Sequence, residues 1–248
     1  MRILIPLAAY GFDPTETAIP WKVLSDNGHE IIFASPEGKK ASADIRMLSG
    51  IGLGILKRLL KAREDAVTAY HEMERTAAFI QPLPYAALQE KDFDALLLPG
   101  GHDKGIKEYL ESKLLQQLVP DFFKAEKPVA AICHGVVLAA RSIDATGKSV
   151  IHHYKTTALL KSQELTAYNI TRFWLKDYYL TYPKKTVQDE VTAALADKHN
   201  FICGPKPLFR DRINNTEKGF TVKDRNYLSA RWPGDVYRFS LDFLKMLE

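Results

Sequence analysis

The stretch KPVAAICHGVVLAAR, residues 127–141, joins two apolar patterns around a single cysteine. Residues 129–133 form a continuous apolar run after Pro128, which predicts a short buried strand. Residues 136–140 follow Gly135 and predict an apolar helix that ends at Arg141. Cys133 therefore belongs to the turn between a strand and a helix. A free cysteine is often only a buried packing residue, so the rest of the chain has to decide whether this one is functional.

Three further apolar runs are bounded by turn residues and predict strands: RILIPLA (2–8), HEIIFAS (29–35) and DALLLPGG (94–101). Helical patterns separate these runs, the first over residues 13–28 and another over roughly 105–125. Strands that alternate with helices indicate an α/β fold, a mostly parallel sheet with helices on both faces. Such sheets place functional sites at the carboxyl ends of their strands, where Cys133 and the Gly100-Gly101 turn both fall.

The remaining segments add elements to this sheet without dividing the chain. Residues 50–90 predict a helical insertion, and its glycines at 50, 52 and 54 lack the spacing of a dinucleotide-binding loop. No linker or repeat interrupts the sequence, which predicts one domain over residues 1–248. The later elements expected are a helix over 156–175, a strand over 178–183, a helix over 187–198, a strand over 200–205, a hairpin around 223–226 and a helix beginning near Asp235.

Composition excludes several classes of protein. The 248 residues carry a net charge of only +4, and the basic residues form no run, which argues against nucleic-acid binding. No apolar stretch approaches the roughly 18 residues that a membrane span needs. Two cysteines 70 positions apart form no disulfide framework, so reduced thiols and a cytoplasmic location are expected.

The predicted position of Cys133 has a chemical meaning. Unpaired N–H groups at a helix N-terminus favour a thiolate and lower the pKa of a cysteine from about 8.5. His134 is then a candidate base, and its backbone N–H a candidate donor to an oxyanion. A second donor is expected from the loop at Gly100 and Gly101. The structural alternative is a tightly packed strand–helix junction without chemistry.

Glu16 has two interpretations. Asp13-x-x-Glu16 has the spacing of a capping box, in which Glu16 would only stabilise the start of the first helix. Alternatively, the first loop lies beside Cys133 and the carboxyl group of Glu16 shares a proton with the thiolate. The residue pattern alone favours neither.

Three motifs in a fixed order identify a resemblance: ETAIP (16–20), LLLPGGH (96–102) and AICHG (131–135). The sequence resembles the ThiJ/PfpI superfamily, which has the flavodoxin-like fold of the class I glutamine amidotransferases. The helical segment 50–90 resembles the insertion of its larger glyoxalase III-like and chaperone members. The resemblance implies a nucleophile at Cys133 with His134 beside it, and a hydrogen bond from Glu16 to the cysteine. It also implies backbone oxyanion donors at Gly101 and His134, and a homodimer.

Other site residues follow less directly. Glyoxalase III-like members place a further acid after the cysteine to orient the histidine, and Glu164 is the candidate here. Asp144 and Asp189 are weaker candidates that a surface position would explain equally well. His102 either lines the pocket or is a polar loop residue. The pair at residues 152 and 153 would bind a metal only if a carboxylate or cysteine converged on it, so no metal ligand is assigned.

The function that this resemblance favours is glutathione-independent conversion of 2-oxoaldehydes such as methylglyoxal to hydroxy acids, with a small reactive carbonyl as substrate. Neither a metal nor an organic cofactor is required for that chemistry. An amidase or peptidase, a thiol redox sensor and a holdase chaperone are the alternatives. A glutamine amidotransferase is disfavoured, because no histidine after Cys133 begins the His-x-Glu pair that this activity uses.

Overall fold

Nine strands and eleven helices build the computed structural model, which describes residues 1–248. The strands are β1 (Arg2–Pro6), β2 (Tyr10–Phe12), β3 (Glu30–Ser35), β4 (Ser42–Ala43), β5 (Leu83–Pro84), β6 (Ala95–Leu98), β7 (Val129–Ile132), β8 (Thr221–Asp224) and β9 (Tyr227–Ala230). The helices are α1 (Pro14–Asp26), α2 (Ile45–Ser49), α3 (Lys57–Leu60), α4 (Glu64–Met73), α5 (Ala77–Ile80), α6 (Lys107–Leu110), α7 (Lys113–Lys124), α8 (Gly135–Arg141), α9 (Lys161–Leu175), α10 (Val187–Ala194) and α11 (Val236–Leu244).

Seven strands form the main sheet in the order β5-β3-β1-β6-β7-β9-β8, and β2 pairs with β4 separately. All neighbours in the main sheet are parallel except β8 and β9, which form the hairpin expected around residues 223–226. Every residue of β6 and β7 is buried, as expected for parallel strands covered on both faces. The predicted α/β class is confirmed, and the arrangement is flavodoxin-like.

Helices pack in two groups around the sheet. In one group α1 lies against α4 and α11, and in the other α8 lies against α7 and α10. The main hydrophobic core contains 62 buried residues and runs from β1 to the C-terminal helix. No helix is both long enough and apolar enough to cross a membrane.

The first helix begins as its sequence predicts. The carboxylate of Asp13 accepts hydrogen bonds from the backbone N–H groups of Thr15, at 2.7 Å, and Glu16, at 3.1 Å. Pro14 occupies the first helical position, where a missing N–H costs nothing. These features place Glu16 in the buried first turn of α1.

Two predicted strands are wrong. Residues 178–183 form turns, because the hydroxyl of Tyr178 hydrogen-bonds Asp44 and the ring of Tyr179 packs on His102. These side chains anchor a loop. The aromatic-rich sequence of the segment does not distinguish such a loop from a strand. Residues 200–205 contribute only a single bridge, between Phe201 and Thr156.

The boundaries of three helical segments also differ from expectation. The insertion over residues 50–90 is not wholly helical, because it contains the edge strand β5 of the main sheet as well as the short helices α3, α4 and α5. Helix α9 begins only at Lys161, after a loop that covers the end of the sheet, and α10 ends at Ala194. Helix α11 begins at Val236, next to the predicted start at Asp235.

Candidate active site

Cys133 occupies the sharp turn between β7 and α8, as the sequence predicts. Its φ is +57°, a left-handed conformation that costs a non-glycine residue roughly 1–3 kcal/mol. Its backbone N–H donates to the carbonyl of Ala230 on the neighbouring strand at 3.1 Å. A Cβ on Gly135 would lie 2.1 Å from the carbonyl oxygen of Leu98, so only glycine fits after the histidine. The packing around this turn therefore holds the cysteine in a strained conformation.

Glu16 belongs to this site and does not complete the capping box. Its Oε2 accepts the backbone N–H of Gly100 at 3.0 Å, whereas the N–H of Asp13 donates to the Gly100 carbonyl at 2.8 Å. Burial, and next the charge of Asp13, raise the pKa of Glu16 well above its usual value. Oε1 has no hydrogen-bond partner, although it is buried. Glu16 is therefore a protonated carboxylic acid beside Cys133, and its carboxyl group contacts the thiol as the resemblance implies.

The thiol of Cys133 differs from its predicted state. The residue is 0% exposed, and burial raises the pKa of the Cys133 thiol well above its usual value. The helix α8 has only seven residues, and its N-terminal N–H groups do not outweigh desolvation. The expectation of a lowered pKa is wrong, and the resting sulfur carries its proton.

His134 is the nearest base to that proton. Its Nδ1 lies 3.4 Å from the sulfur of Cys133, and its buried Nε2 has no hydrogen-bond partner. Burial, and next the neighbouring His102, lower the pKa of His134 well below its usual value. The ring is therefore neutral, and Nδ1 accepts the thiol proton in the tautomer that protonates Nε2.

His102 lines the same site, so the pocket interpretation of this residue is correct. Its ring centroid lies 5.1 Å from that of His134 and 5.1 Å from that of Tyr179. Burial lowers the pKa of His102 to about 4, and its Nδ1 has no hydrogen-bond partner. Sequence reasoning missed Tyr179, whose hydroxyl is also buried without a partner, because it fell within a predicted strand. The adjacent tyrosines at residues 178 and 179 were the available signal.

The loop at Gly100 approaches the strained turn closely. A Cβ on Gly100 would lie 2.7 Å from the backbone nitrogen of His134 and 3.0 Å from Cβ of Cys133. The N–H of Gly101 donates to no acceptor within the chain, and the N–H of His134 faces the sulfur of Cys133, where it lowers the thiol pKa. Both N–H groups proposed as oxyanion donors are thus free of other backbone bonds.

Glu164 does not orient His134. Helix α9 begins at Lys161, which directs the buried carboxylate of Glu164 toward α10, where Oε2 accepts the N–H of Val187 at 2.9 Å. Its pKa is raised to about 7, chiefly by burial. The alternatives also fail, since Asp144 accepts the N–H of Thr146 at 2.8 Å and Asp189 pairs with a lysine at 2.9 Å. No carboxylate bonds either ring nitrogen of His134, so the prediction of an orienting acid is wrong.

The histidine pair at residues 152 and 153 gains no third ligand. Nδ1 of His152 bonds the backbone carbonyl of Ala194 at 2.9 Å, and the two rings stack edge to face at 4.6 Å. The histidine, cysteine and carboxylate groups that converge as a set of three are His102, Cys133 and His134, within 4.8 Å of one another.

Comparisons with known proteins agree with this geometry. Residues 7–205 match the family model described as ThiJ/PfpI family-like. The chain is 26% identical over 238 residues to an uncharacterised protein of Schizosaccharomyces pombe, covering 95% of this chain and 80% of that one. It is 23% identical over 248 residues to Deglycase PfpI of Pyrococcus furiosus, covering 100% of both. Glyoxalase III from Candida albicans superposes with a TM-score of 0.71 at 19% identity, over 100% of this chain and 98% of that one. The strained cysteine, the buried acid and this match lead to one conclusion: the chain belongs to the ThiJ/PfpI family.

Proposed function

We propose that the protein is a cysteine-dependent enzyme that converts small 2-oxoaldehydes, such as methylglyoxal, to 2-hydroxy acids without glutathione. The observation that carries the proposal is the position of the Cys133 thiol between the protonated Glu16 and the neutral His134, whose Nδ1 lies 3.4 Å from sulfur. A relative named as a deglycase and a structural neighbour named glyoxalase III support carbonyl chemistry.

The first step is addition of the thiol to the aldehyde. Nδ1 of His134 removes the proton from sulfur as the S–C bond forms, because sulfur is nucleophilic only as thiolate. The aldehyde oxygen takes up a proton from the carboxyl group of Glu16, and the free N–H of Gly101 stabilises its developing charge. The product is a hemithioacetal with one C–S bond and one hydroxyl group.

The second step is an internal redox exchange between adjacent carbons. A base, the Glu16 carboxylate left by the first step or a neutral histidine, removes the proton from the sulfur-bearing carbon, while the neighbouring carbonyl oxygen takes up the proton that His134 gained from the thiol, and the product is an enediol. The base then returns its proton to the neighbouring carbon, and the hydroxyl on the sulfur-bearing carbon gives its proton to the neutral His134. The product is a 2-hydroxy thioester, so one carbon is oxidised and the other reduced. Water then hydrolyses the thioester, releases the hydroxy acid and restores the thiol.

Two features of the site support this assignment over the alternatives. Oxidation of a sensor cysteine follows thiolate character and exposure, whereas Cys133 is buried and protonated. With Cys133 and His134 both 0% exposed, the site favours a small carbonyl over a peptide. The missing orienting acid leaves the acid–base work to Glu16 and the two histidines.

Turnover of methylglyoxal in glutathione-free buffer tests the proposal. We expect hydroxy-acid formation by the wild type, loss of activity in Cys133→Ser, and unchanged activity in Cys203→Ser, whose thiol is exposed outside the site. An inactive wild type, or an active Cys133→Ser variant, would overturn the assignment.

A further inference from the structure

Three potential metal ligands converge at the site. They are the sulfur of Cys133 and one ring nitrogen each of His102 and His134, all within 4.8 Å of one another. Nδ1 of His102 is buried without a hydrogen-bond partner, and Nδ1 of His134 contacts the sulfur of Cys133. Buried polar atoms are nearly always paired, so the unpartnered nitrogen of His102 beside this thiol requires an explanation.

The donor set matches the first coordination shell of zinc. Three ligands drawn from histidine and cysteine, with a fourth position left open, are the pattern of zinc sites that admit a further ligand. Zn–S and Zn–N bonds of roughly 2.3 and 2.0 Å place the donors of a tetrahedral site about 3.5 Å apart. Sulfur and Nδ1 of His134 already lie 3.4 Å apart, and the donor of His102 lies within 4.8 Å of both other donors, so binding requires this third donor to move inward.

Coordination changes the charge of the cysteine. The thiol binds zinc as thiolate and releases one proton to the solvent.

We propose that His102, Cys133 and His134 bind Zn²⁺ through sulfur and two ring nitrogens, and that the bound ion holds the enzyme inactive. A metal on sulfur lowers the nucleophilicity of the thiolate, and a metal on Nδ1 of His134 occupies the base of the first step. The binding half of the proposal is independent of the proposed function, and the inhibitory half rests on it. Other histidines offer only weaker exposed pairs, such as His199 with Asp197 at 2.8 Å.

Cobalt(II) titration of chelator-treated protein tests the binding. The background is a Cys203→Ser, His153→Gln double variant, which removes the exposed thiol and one member of the histidine pair. We expect a thiolate-to-cobalt charge-transfer band and intense tetrahedral d–d bands at one equivalent, both displaced by one equivalent of zinc. Cys133→Ser should abolish the charge-transfer band. His102→Gln, at a residue less buried than the other two, should weaken zinc binding by about 100-fold, since even outer-shell partners contribute 10–100-fold.

The zinc site would be overturned if the charge-transfer band did not form, or if the band were still present in Cys133→Ser. This conclusion does not depend on whether the protein turns over methylglyoxal. Methylglyoxal turnover then tests inhibition: one equivalent of zinc should abolish it and a chelator should restore it. Turnover that persists with zinc bound would overturn the inhibitory role. A normal cobalt spectrum in a protein without turnover under any condition would leave the metal site standing and reject the proposed function.

Discussion

The thiol that is proposed to react, that of Cys133, is the less accessible of the two thiols in this chain. Cys133 is buried with a raised pKa and Cys203 is exposed, whereas the lowered pKa predicted from the sequence would make Cys133 the first to be alkylated. We now expect a maleimide to modify Cys203 first, and Cys133 only slowly. Mass spectrometry after limited labelling at neutral pH measures the order. Faster labelling of Cys133, with Cys203→Ser as the control, would contradict the buried thiol described here.

Glu16→Gln separates the chemical role of Glu16 from its structural role. Glutamine can still accept the N–H of Gly100 but has no acid proton to give. We expect kcat on methylglyoxal to fall by about 10²–10⁴-fold, the range for loss of a general acid. The melting temperature at pH 7 should rise rather than fall, because the amide replaces an acid that must take up a proton when the chain folds. Unchanged turnover would return Glu16 to a purely structural role.

At this scale the sequence predicted the centre of the site and missed its periphery. Cys133, His134, Glu16 and Gly101 follow strand ends or a helix start, and a parallel sheet brings such positions together regardless of detail. Glu164 lies in a segment whose start depends on a loop, and an error in the helix start changes which neighbour a side chain meets.

At the scale of elements, the carboxylate of Glu164 connects α9 to the start of α10. Its pKa rises from 4.5 to about 7, so the folded state holds this proton more tightly than the unfolded chain. The free energy of unfolding therefore decreases as pH rises from 4.5 to about 7, and the whole decrease is present above pH 7. Glu164→Gln keeps an acceptor for the N–H of Val187 and removes this loss of stability. At about 1.4 kcal/mol for each pKa unit, the loss is about 3 kcal/mol.

Urea denaturation at two pH values measures this effect. Glu164→Gln should be more stable than the wild type at pH 8 and equal to it at pH 4, where the acid is neutral in both states. Glu217→Gln, at an exposed carboxylate, is the matched control and should show no such difference. A variant that is destabilised at pH 8 would show that the ionised carboxylate stabilises the helix contact.

Which elements could be predicted depended on what stabilises them. The buried strands β1, β3, β6 and β7 are continuous apolar runs, and that pattern reports their burial directly. Residues 178–183 are rich in aromatic residues, which are also frequent in strands, but their tyrosines contact partners that are distant in sequence. A contact with Asp44, more than a hundred residues away, leaves no local signal.

For the whole molecule, buried acids make the stability depend on pH. The pKa values of Glu164 and Asp211 are both raised to about 7 by burial, and that of Asp44 to about 6. The buried imidazole of His102, with a pKa near 4, acts oppositely, because the unfolded chain binds its proton below pH 6.5. Above pH 6.5 the acids act alone, so the free energy of unfolding should fall as pH rises.

Glu164 and Asp211 together predict a loss of about 1–2 kcal/mol between pH 6.5 and 8, and Glu16, which also holds its proton in the folded state, adds to that loss. The urea midpoint, measured at constant ionic strength, reports the total change. The double variant Glu164→Gln, Asp211→Asn should remove the part due to these two acids and leave the part due to Glu16. A midpoint that rises with pH over this interval would contradict the direction given for both acids.

The place of β7 in the sheet determines at what temperature the backbone of Cys133 is released. This strand pairs with β6 on one side and β9 on the other, and the amide of Cys133 itself bonds Ala230. Amides in such a position exchange with solvent deuterium only when the whole sheet opens, so their exchange free energy equals that of global unfolding. A folded protein with a displaced cysteine is therefore not a populated state. Loss of the proposed methylglyoxal turnover on heating and cooperative unfolding should share one midpoint, and the proposed activity should keep its full specific value up to the temperature at which the protein ceases to be folded.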